Sequence, residues 1–322
     1  MKLGLPYMGS KRKLSKKIVD TIILQNPKVK YVYDLFGGGG AISFELLKRK
    51  QIKKVVYNEL NTGVVELLKD VLYNGVTEKY FQWVDRDVFL ENKDKDDWFA
   101  GLCKTCWSFG SSQTSYLYGE DIEYSKKLLH NAVVHKNHDF LKEFENIHNI
   151  KIDKKVLNHK TIHGRRLSLQ NLMTNRVFNS LESLSRIQSL ERIEHFEKLS
   201  RLPKSSKLDI SNKSYEDVEI NTPVEETIIY LDPPYKDTGS YQLEIDYDKL
   251  NEYIQNSKYK IYISSYEFPF YEIAKFKHLS TLSATNNSKV VYEKLFCNIK
   301  ESNNIIYSEK GESYKTVNIW NM

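Results

Sequence analysis

Asp232-Pro233-Pro234-Tyr235 follows the apolar run Thr227-Ile228-Ile229-Tyr230-Leu231 late in the chain. The run predicts a buried strand, and the four residues after it bring a carboxylate, rigid peptide units and an aromatic ring to its carboxyl end. Proline removes a ladder donor and fixes φ, so the carbonyls around it hold set directions. A carboxylate beside a rigid carbonyl makes a pair of acceptors suited to an exocyclic amino group. The competing reading for so short a motif is a polar turn after a strand.

A second chemical feature lies near the N-terminus, where Tyr31-Val32-Tyr33-Asp34-Leu35-Phe36-Gly37-Gly38-Gly39-Gly40 leads into Ala41-Ile42-Ser43-Phe44-Glu45-Leu46-Leu47. Strand, glycine turn and helix in succession receive a nucleotide-like ligand at the carboxyl edge of a sheet. The four glycines leave no Cβ between backbone and ligand. A phosphate-binding loop would need Lys-Ser/Thr directly after them, where this chain has Ala41-Ile42. The dinucleotide spacing also fails, because no glycine follows Gly40 within the turn. The next strand, Lys54-Val55-Val56-Tyr57, ends in Asn58-Glu59-Leu60-Asn61, so an acid stands where ribose hydroxyls are accepted.

With these segments in order, the chain resembles the Dam-type DNA adenine-N6 methyltransferases, the alpha or D12 class. Pro6-Tyr7-Met8-Gly9-Ser10-Lys11, Asp34-Leu35-Phe36-Gly37-Gly38-Gly39, Asn58-Glu59-Leu60-Asn61 and Asp232-Pro233-Pro234-Tyr235 carry the resemblance, over roughly residues 1–95 and 207–322. The resemblance implies an α/β fold: a Rossmann-like S-adenosylmethionine-dependent methyltransferase sheet with an inserted, mainly helical target-recognition domain. It divides the chain into a cofactor-binding half of the core (1–95), a target-recognition insertion (96–206) and a catalytic half (207–322).

The resemblance also implies roles. Tyr7, Lys11, Asp34, Phe36, Gly37, Gly39, Glu59, Tyr215 and Asp232 would bind S-adenosylmethionine, with Tyr7 against its methionine end, Lys11 on its polar groups and Glu59 on its ribose. Asp232, Pro233 and Tyr235 would be catalytic. Relatives commonly carry Asp before the aromatic that meets the cofactor adenine, whereas this chain has Ser214-Tyr215. Tyr215 can stack, but the amino group loses an acceptor there. The expected activity is methyl transfer to adenine N6 in double-stranded DNA at a short specific sequence, GATC by family analogy, with the base flipped out. A cytosine-N4 methyltransferase and a non-catalytic DNA-binding relative are the alternatives; the former more usually has Ser in place of Asp232. A solitary enzyme of the cytoplasm of a bacterial cell or phage-infected host is expected, since no partner nuclease is indicated.

Composition is compatible with this. The 322 residues suffice for one large domain plus an inserted one, and the net charge of +6 favours a polyanionic partner. No apolar run of membrane length and no leader pattern is present, which predicts a soluble protein with no membrane partner. Cys103-Lys104-Thr105-Cys106 has ligand-like spacing but no second pair, so no metal is expected.

These motifs need elements to position them. Apolar spacing predicts helices over 10–24 and 61–73, and strands over 31–35 and 54–57; alternation of the two predicts a parallel sheet. Further β-type runs at 259–265, 289–296 and 314–319 supply strands from the other half. Between the halves, Trp107-Ser108-Phe109 through Tyr118-Gly119 reads as a loop or hairpin. Its Trp107 and Phe109 either stack on bases or pack on their own domain. Lys126, Lys127, His130, His135, Lys136, Lys142, Lys151, Lys154, Lys155, His159, Lys160, Arg165 and Arg166 then form a basic stretch, several of them expected to face phosphates. From Leu169 to Leu202 apolar residues recur every third position. On one straight helix such a stripe slips by about 60° per step, so a helix broken and wrapped by neighbours is favoured.

Overall fold

The structure, a computed structural model, describes residues 3–174, 182–203, 205–235, 245–280, 289–300, 304–306 and 315–317. The chain divides into two compact units, one of residues 1–4, 9–61 and 205–322, the other of 5–8 and 62–204.

The first unit is an α/β sheet. Its strands are β1 (Tyr31–Asp34), β2 (Lys54–Asn58), β3 (Leu208–Ser211), β4 (Thr227–Leu231), β5 (Lys260–Ser265), β6 (Tyr271–Ser280), β7 (Lys289–Cys297), β8 (Asn304–Ile306) and β9 (Lys315–Val317). Among the described residues the order is β3-β2-β1-β4-β5-β7-β6-β8-β9. From β3 to β5 all neighbours are parallel, and β7 enters antiparallel between β5 and β6. This is the mixed α/β sheet of a methyltransferase-type fold, as expected. Of its strands, β3, β6 and β8 lack a clear signal: Leu-Asp-Ile-Ser is short and polar, Tyr-Glu-Ile-Ala-Lys-Phe-Lys-His is interrupted by Glu272, Lys275 and Lys277, and Asn-Ile-Ile is three residues long.

In β1, β2, β4 and β5 both faces are buried, and strand alternation assigns the faces. Val32, Ile228 and Tyr230 point toward α1 (Ser15–Gln25) and α2 (Ala41–Leu46), packing with Leu14, Ile18, Ile22 and Ile42. Tyr33, Ile229, Leu231 and Ile261 face the opposite side, with Leu250 and Ile254 of the last helix. The predicted helix over 10–24 begins one turn later than its motif. Lys11–Lys13 form a 3-10 turn and the α-helix starts at Ser15.

Helices α3 (Thr62–Tyr73), α4 (Arg86–Asn92), α5 (Trp98–Cys106), α6 (Glu120–His135), α7 (His138–His148), α8 (Ile162–Thr174), α9 (Glu182–Ser185) and α10 (Gln188–Ser200) make up most of the second unit; α11 (Tyr247–Asn256) belongs to the first. The triplet stripe falls on a broken helix. Leu169 of α8, then Leu184, Ile187, Leu190, Ile193, Phe196 and Leu199 are buried, with Ile187 at non-helical φ/ψ before α10. Stripe positions Phe178 and Leu181 lie outside the described residues. Among the described residues no helix is long and apolar enough to cross a membrane.

Candidate active site

Parallel order reverses at the β1–β4 junction, where Asp34 is level with Tyr230. Connections diverge at such a point and leave a crevice at the carboxyl ends of the strands. Asp34 ends β1, Glu59 follows β2, and Asp232 follows β4. Asp34 is also in phase with Val32, so its side chain lies on the α1/α2 face. There Ser43 of α2 donates its hydroxyl to Asp34 Oδ2 at 2.6 Å. The other oxygen, Oδ1, is buried with no hydrogen-bond partner. Burial pushes the Asp34 carboxyl up to about 7, against the pull of the Ser43 hydrogen bond and with a further push from Asp232.

The glycine turn is shaped by its neighbour on β2. A Cβ on Gly37 would stand 2.3 Å from the Tyr57 ring, so this position must be glycine for packing, before any ligand is considered. Gly37 N–H donates to the Asn58 carbonyl at 2.7 Å, and the Tyr57 hydroxyl donates to the Gly38 carbonyl at 2.7 Å. Gly40 caps α2 with φ of 75°, in the left-handed region open to glycine. Glu59 closes the turn: one oxygen accepts from Gly38 N–H at 2.8 Å and the other from Asn61 N–H at 2.9 Å. Phe36 and Tyr215 pack together with centroids 5.3 Å apart, beside the same turn.

At the β4 end, Lys11 directs its ammonium to Asp232 Oδ1 at 2.6 Å, to the Tyr235 hydroxyl at 2.7 Å and to the Gly9 carbonyl at 3.3 Å. An ammonium has three donors. The contact of Lys11 with cofactor polar groups, expected from the resemblance, would need one of these bonds to open. Burial alone would lower the Lys11 pKa, but Asp232 and Glu293 outweigh it and keep Lys11 a cation. Burial likewise pushes Asp232 up to about 6; Lys11 pulls it down and Glu293 pushes it up. Tyr235 stays protonated, raised by burial and the two carboxylates, and donates to both oxygens of Glu293 at 2.9 and 3.0 Å. Its ring stacks on Tyr266 at 4.6 Å, and the Pro234 carbonyl accepts from the Tyr247 hydroxyl.

Glu293 and Tyr266 carry no motif signal, although Tyr266 follows β5 as Tyr235 follows β4. Asn58 is a third residue whose part was not foreseen. Its amide spans the Leu35 and Lys213 carbonyls while its oxygen accepts from Lys213 N–H, which ties together the ends of β1, β2 and β3. Tyr7 belongs, within 5–8, to the second compact unit.

Within that second unit the aromatic loop and the basic stretch of the middle region are partly buried. Trp107 packs inside it against Trp83 and His130, and Tyr116 and Tyr118 are buried too, leaving Phe109 as the exposed ring of the loop. The bridge Ser108–Tyr116 and the bond from Leu117 N–H to the Trp107 carbonyl make the loop hairpin-like. The basic stretch is not uniformly solvated. Lys126 is buried on the Leu184 and Arg186 carbonyls, Arg165 on Val133 and its neighbours, and Arg166 on Glu191 and Glu194. Desolvated cations with filled donors hold helices together and do not face phosphates. Cys103 and Cys106 are buried free thiols, and no cluster among the described residues could hold a metal.

A carboxylate beside two prolines at the switch point, a glycine turn closed by an acid, and a third acid with an unpartnered buried oxygen thus gather at the carboxyl edge of this sheet. The sequence model of the D12 class N6 adenine-specific DNA methyltransferases matches residues 7–310, so the chain belongs to that family of enzymes, which methylate adenine in DNA. No curated protein matches the chain.

Proposed function

We propose that the protein transfers a methyl group from S-adenosylmethionine to the N6 amino group of an adenine flipped out of duplex DNA within a short specific sequence. One observation carries this reading: Asp34 and its glycine turn share the carboxyl edge of the sheet with Asp232 and its prolines, at the strand-order reversal.

The residues present fit the cofactor. The unpartnered Asp34 Oδ1 is a buried acceptor for a cationic amino group. Asp34, Glu59 and Asp232 gather three acids at one edge, a field that favours a cation. Glu59 would take the ribose hydroxyls, and Phe36 and Tyr215 the adenine. When bound, S-adenosylmethionine supplies a methyl group already activated by its sulfonium.

The chain's own residues then act on the acceptor. Asp232 and the Pro233 carbonyl accept the N6 hydrogens, which localises the nitrogen lone pair and stabilises the positive charge that develops there. Holding the nitrogen in line for attack lowers the remaining barrier. A stacked base cannot reach such a crevice and must flip out, at about a few kcal/mol; the Tyr235 ring offsets part of that cost. Residues 96–206 are assigned target recognition, with exposed Phe109 on its loop as a contact for bases. The enzyme is assigned to the cytoplasm of a bacterial cell or infected host.

The test is incubation of duplex DNA with methyl-labelled cofactor followed by nucleoside analysis. N6-methyladenine supports the reading. N4-methylcytosine, or no incorporation with DNA binding intact, gives it up.

A further inference from the structure

We infer that Glu293 is a positioning residue that acts through Lys11, its negative charge offsetting the ammonium so that Asp232 faces the reacting nitrogen as part of a net anionic cluster. This rests on the methyl-transfer reading above. Glu293 lies on β7, 2% exposed, opposite Phe276 and two residues before Leu295, both of them fully buried in the α1/α2-side core. An apolar side chain would be expected at such a position, since a buried carboxylate is costly unless charge and hydrogen bonds compensate it. Among the described residues the compensation comes from the site: the Tyr235 hydroxyl at 2.9 and 3.0 Å and the Lys11 ammonium at 3.7 Å.

The reason is electrostatic. Lys11 and Asp232 alone form a pair of net charge zero, and such a pair gives little net field at a nitrogen that is becoming positive. A second carboxylate 3.7 Å from the same ammonium leaves two negative charges against one positive. Field in a water-poor site is worth more than in bulk. Glu293 is hydrogen-bonded to Tyr235 and paired with Lys11, so its effect on Asp232 is transmitted by Lys11 and by the charge itself.

Glu293→Gln keeps the shape and an acceptor for the Tyr235 hydroxyl while removing only the charge. In single-turnover and steady-state methylation of duplex DNA, kcat is expected to fall roughly tenfold or more, with KM for DNA and cofactor within about threefold. The acid limb of the pH profile provides a readout that a purely structural role would not move. Asp232 is faced by Lys11 before α1, Asp34 on β1, Tyr230 on β4, Tyr235, Tyr266 beyond β5 and Glu293 on β7. Of these, Glu293 pushes Asp232 up, so its neutralisation should move the limb to lower pH.

A kcat within twofold of wild type, or a lower kcat with an unmoved limb, overturns the inference; the second result is what mere propping of Tyr235 would give. Folding is checked by circular dichroism and melting. Should Glu293→Gln not fold, Tyr235→Phe/Glu293→Gln, which keeps Lys11 and removes the hydroxyl that Glu293 accepts from, is compared with Tyr235→Phe: a lower limb in the double variant supports the inference and equal limbs overturn it. Failure of wild type to form N6-methyladenine defeats the underlying reading and takes this inference with it. Wild-type methylation with an indifferent Glu293→Gln defeats the inference alone.

Discussion

Lys11 and Asp232 stand 221 positions apart in the chain and 2.6 Å apart in space. The 3-10 turn before α1 brings the lysine over the end of β4, and the ammonium serves as counter-ion to the acceptor carboxylate. Because Lys11 holds the Asp232 pKa down against burial, removing it should raise that pKa above about 6. Lys11→Met is therefore predicted to shift the acid limb of methyl transfer upward and to lower kcat at neutral pH roughly tenfold or more. A pH–rate profile of the variant checks the direction; a limb that stays in place or moves down contradicts it.

Asp34 gives a prediction about stability. Its folded pKa, raised to about 7 from 3.8, lies above the unfolded value, so the folded state binds more protons between them and stability falls as pH rises through that window. Asp34→Asn removes this cost. Without cofactor the variant should melt higher than wild type, by at most about 4 kcal/mol above pH 7, and the gap should close toward pH 4. Cofactor affinity should fall in the same variant. Melting curves across pH with and without S-adenosylmethionine test both halves.

Much of this was legible beforehand, for a physical reason. β1, β2, β4 and β5 are buried on both faces, so their sequences are near-continuous β-branched and aromatic runs that end in polar residues at the site. Edge and antiparallel strands such as β6 mix charge with apolar residues and give a weaker signal. Glu293 was invisible because its partners, Lys11 and Tyr235, are remote in sequence, and a glutamate on a charged strand reads as solvent-facing. Lys126, Arg165 and Arg166 misled in the opposite sense. A run of cations looks solvated until the helices are assembled; backbone carbonyls then take up Lys126 and Arg165, and the Glu191 and Glu194 carboxylates take up Arg166.

The glycine turn offers a packing test. Gly37→Ala would place a methyl 2.3 Å from the Tyr57 ring, which the backbone bonds of Gly37 and Gly38 hold in place. Overpacking of this kind costs roughly 1–3 kcal/mol. The variant should lose that stability and bind cofactor more weakly, and Gly37→Ala/Tyr57→Leu should recover stability. Failure of the double variant to recover any stability would show that the ring is not the obstacle.

The two ends of the crevice should respond differently to the substrate. Tyr235→Ala is expected to impair capture of the flipped base, and Glu59→Ala to impair the cofactor. A mismatched adenine has already lost part of its pairing, so it should partly rescue Tyr235→Ala and leave Glu59→Ala unchanged. Single-turnover rates on paired and mismatched duplexes, at saturating and subsaturating cofactor, provide the comparison. Equal rescue of both variants contradicts the assignment.

The central claim is that Asp232 acts on the N6 amino group of adenine in DNA. Its most direct test is single-turnover methyl transfer from labelled S-adenosylmethionine to duplex DNA by wild type and Asp232→Ala, with the methylated nucleoside identified. The account predicts N6-methyladenine from wild type and, at saturating cofactor, a rate at least a hundredfold lower from the variant, about 3 kcal/mol of lost transition-state stabilisation, with DNA binding within a few fold. Substantial methylation by Asp232→Ala, or a methylated base other than adenine from wild type, would contradict it.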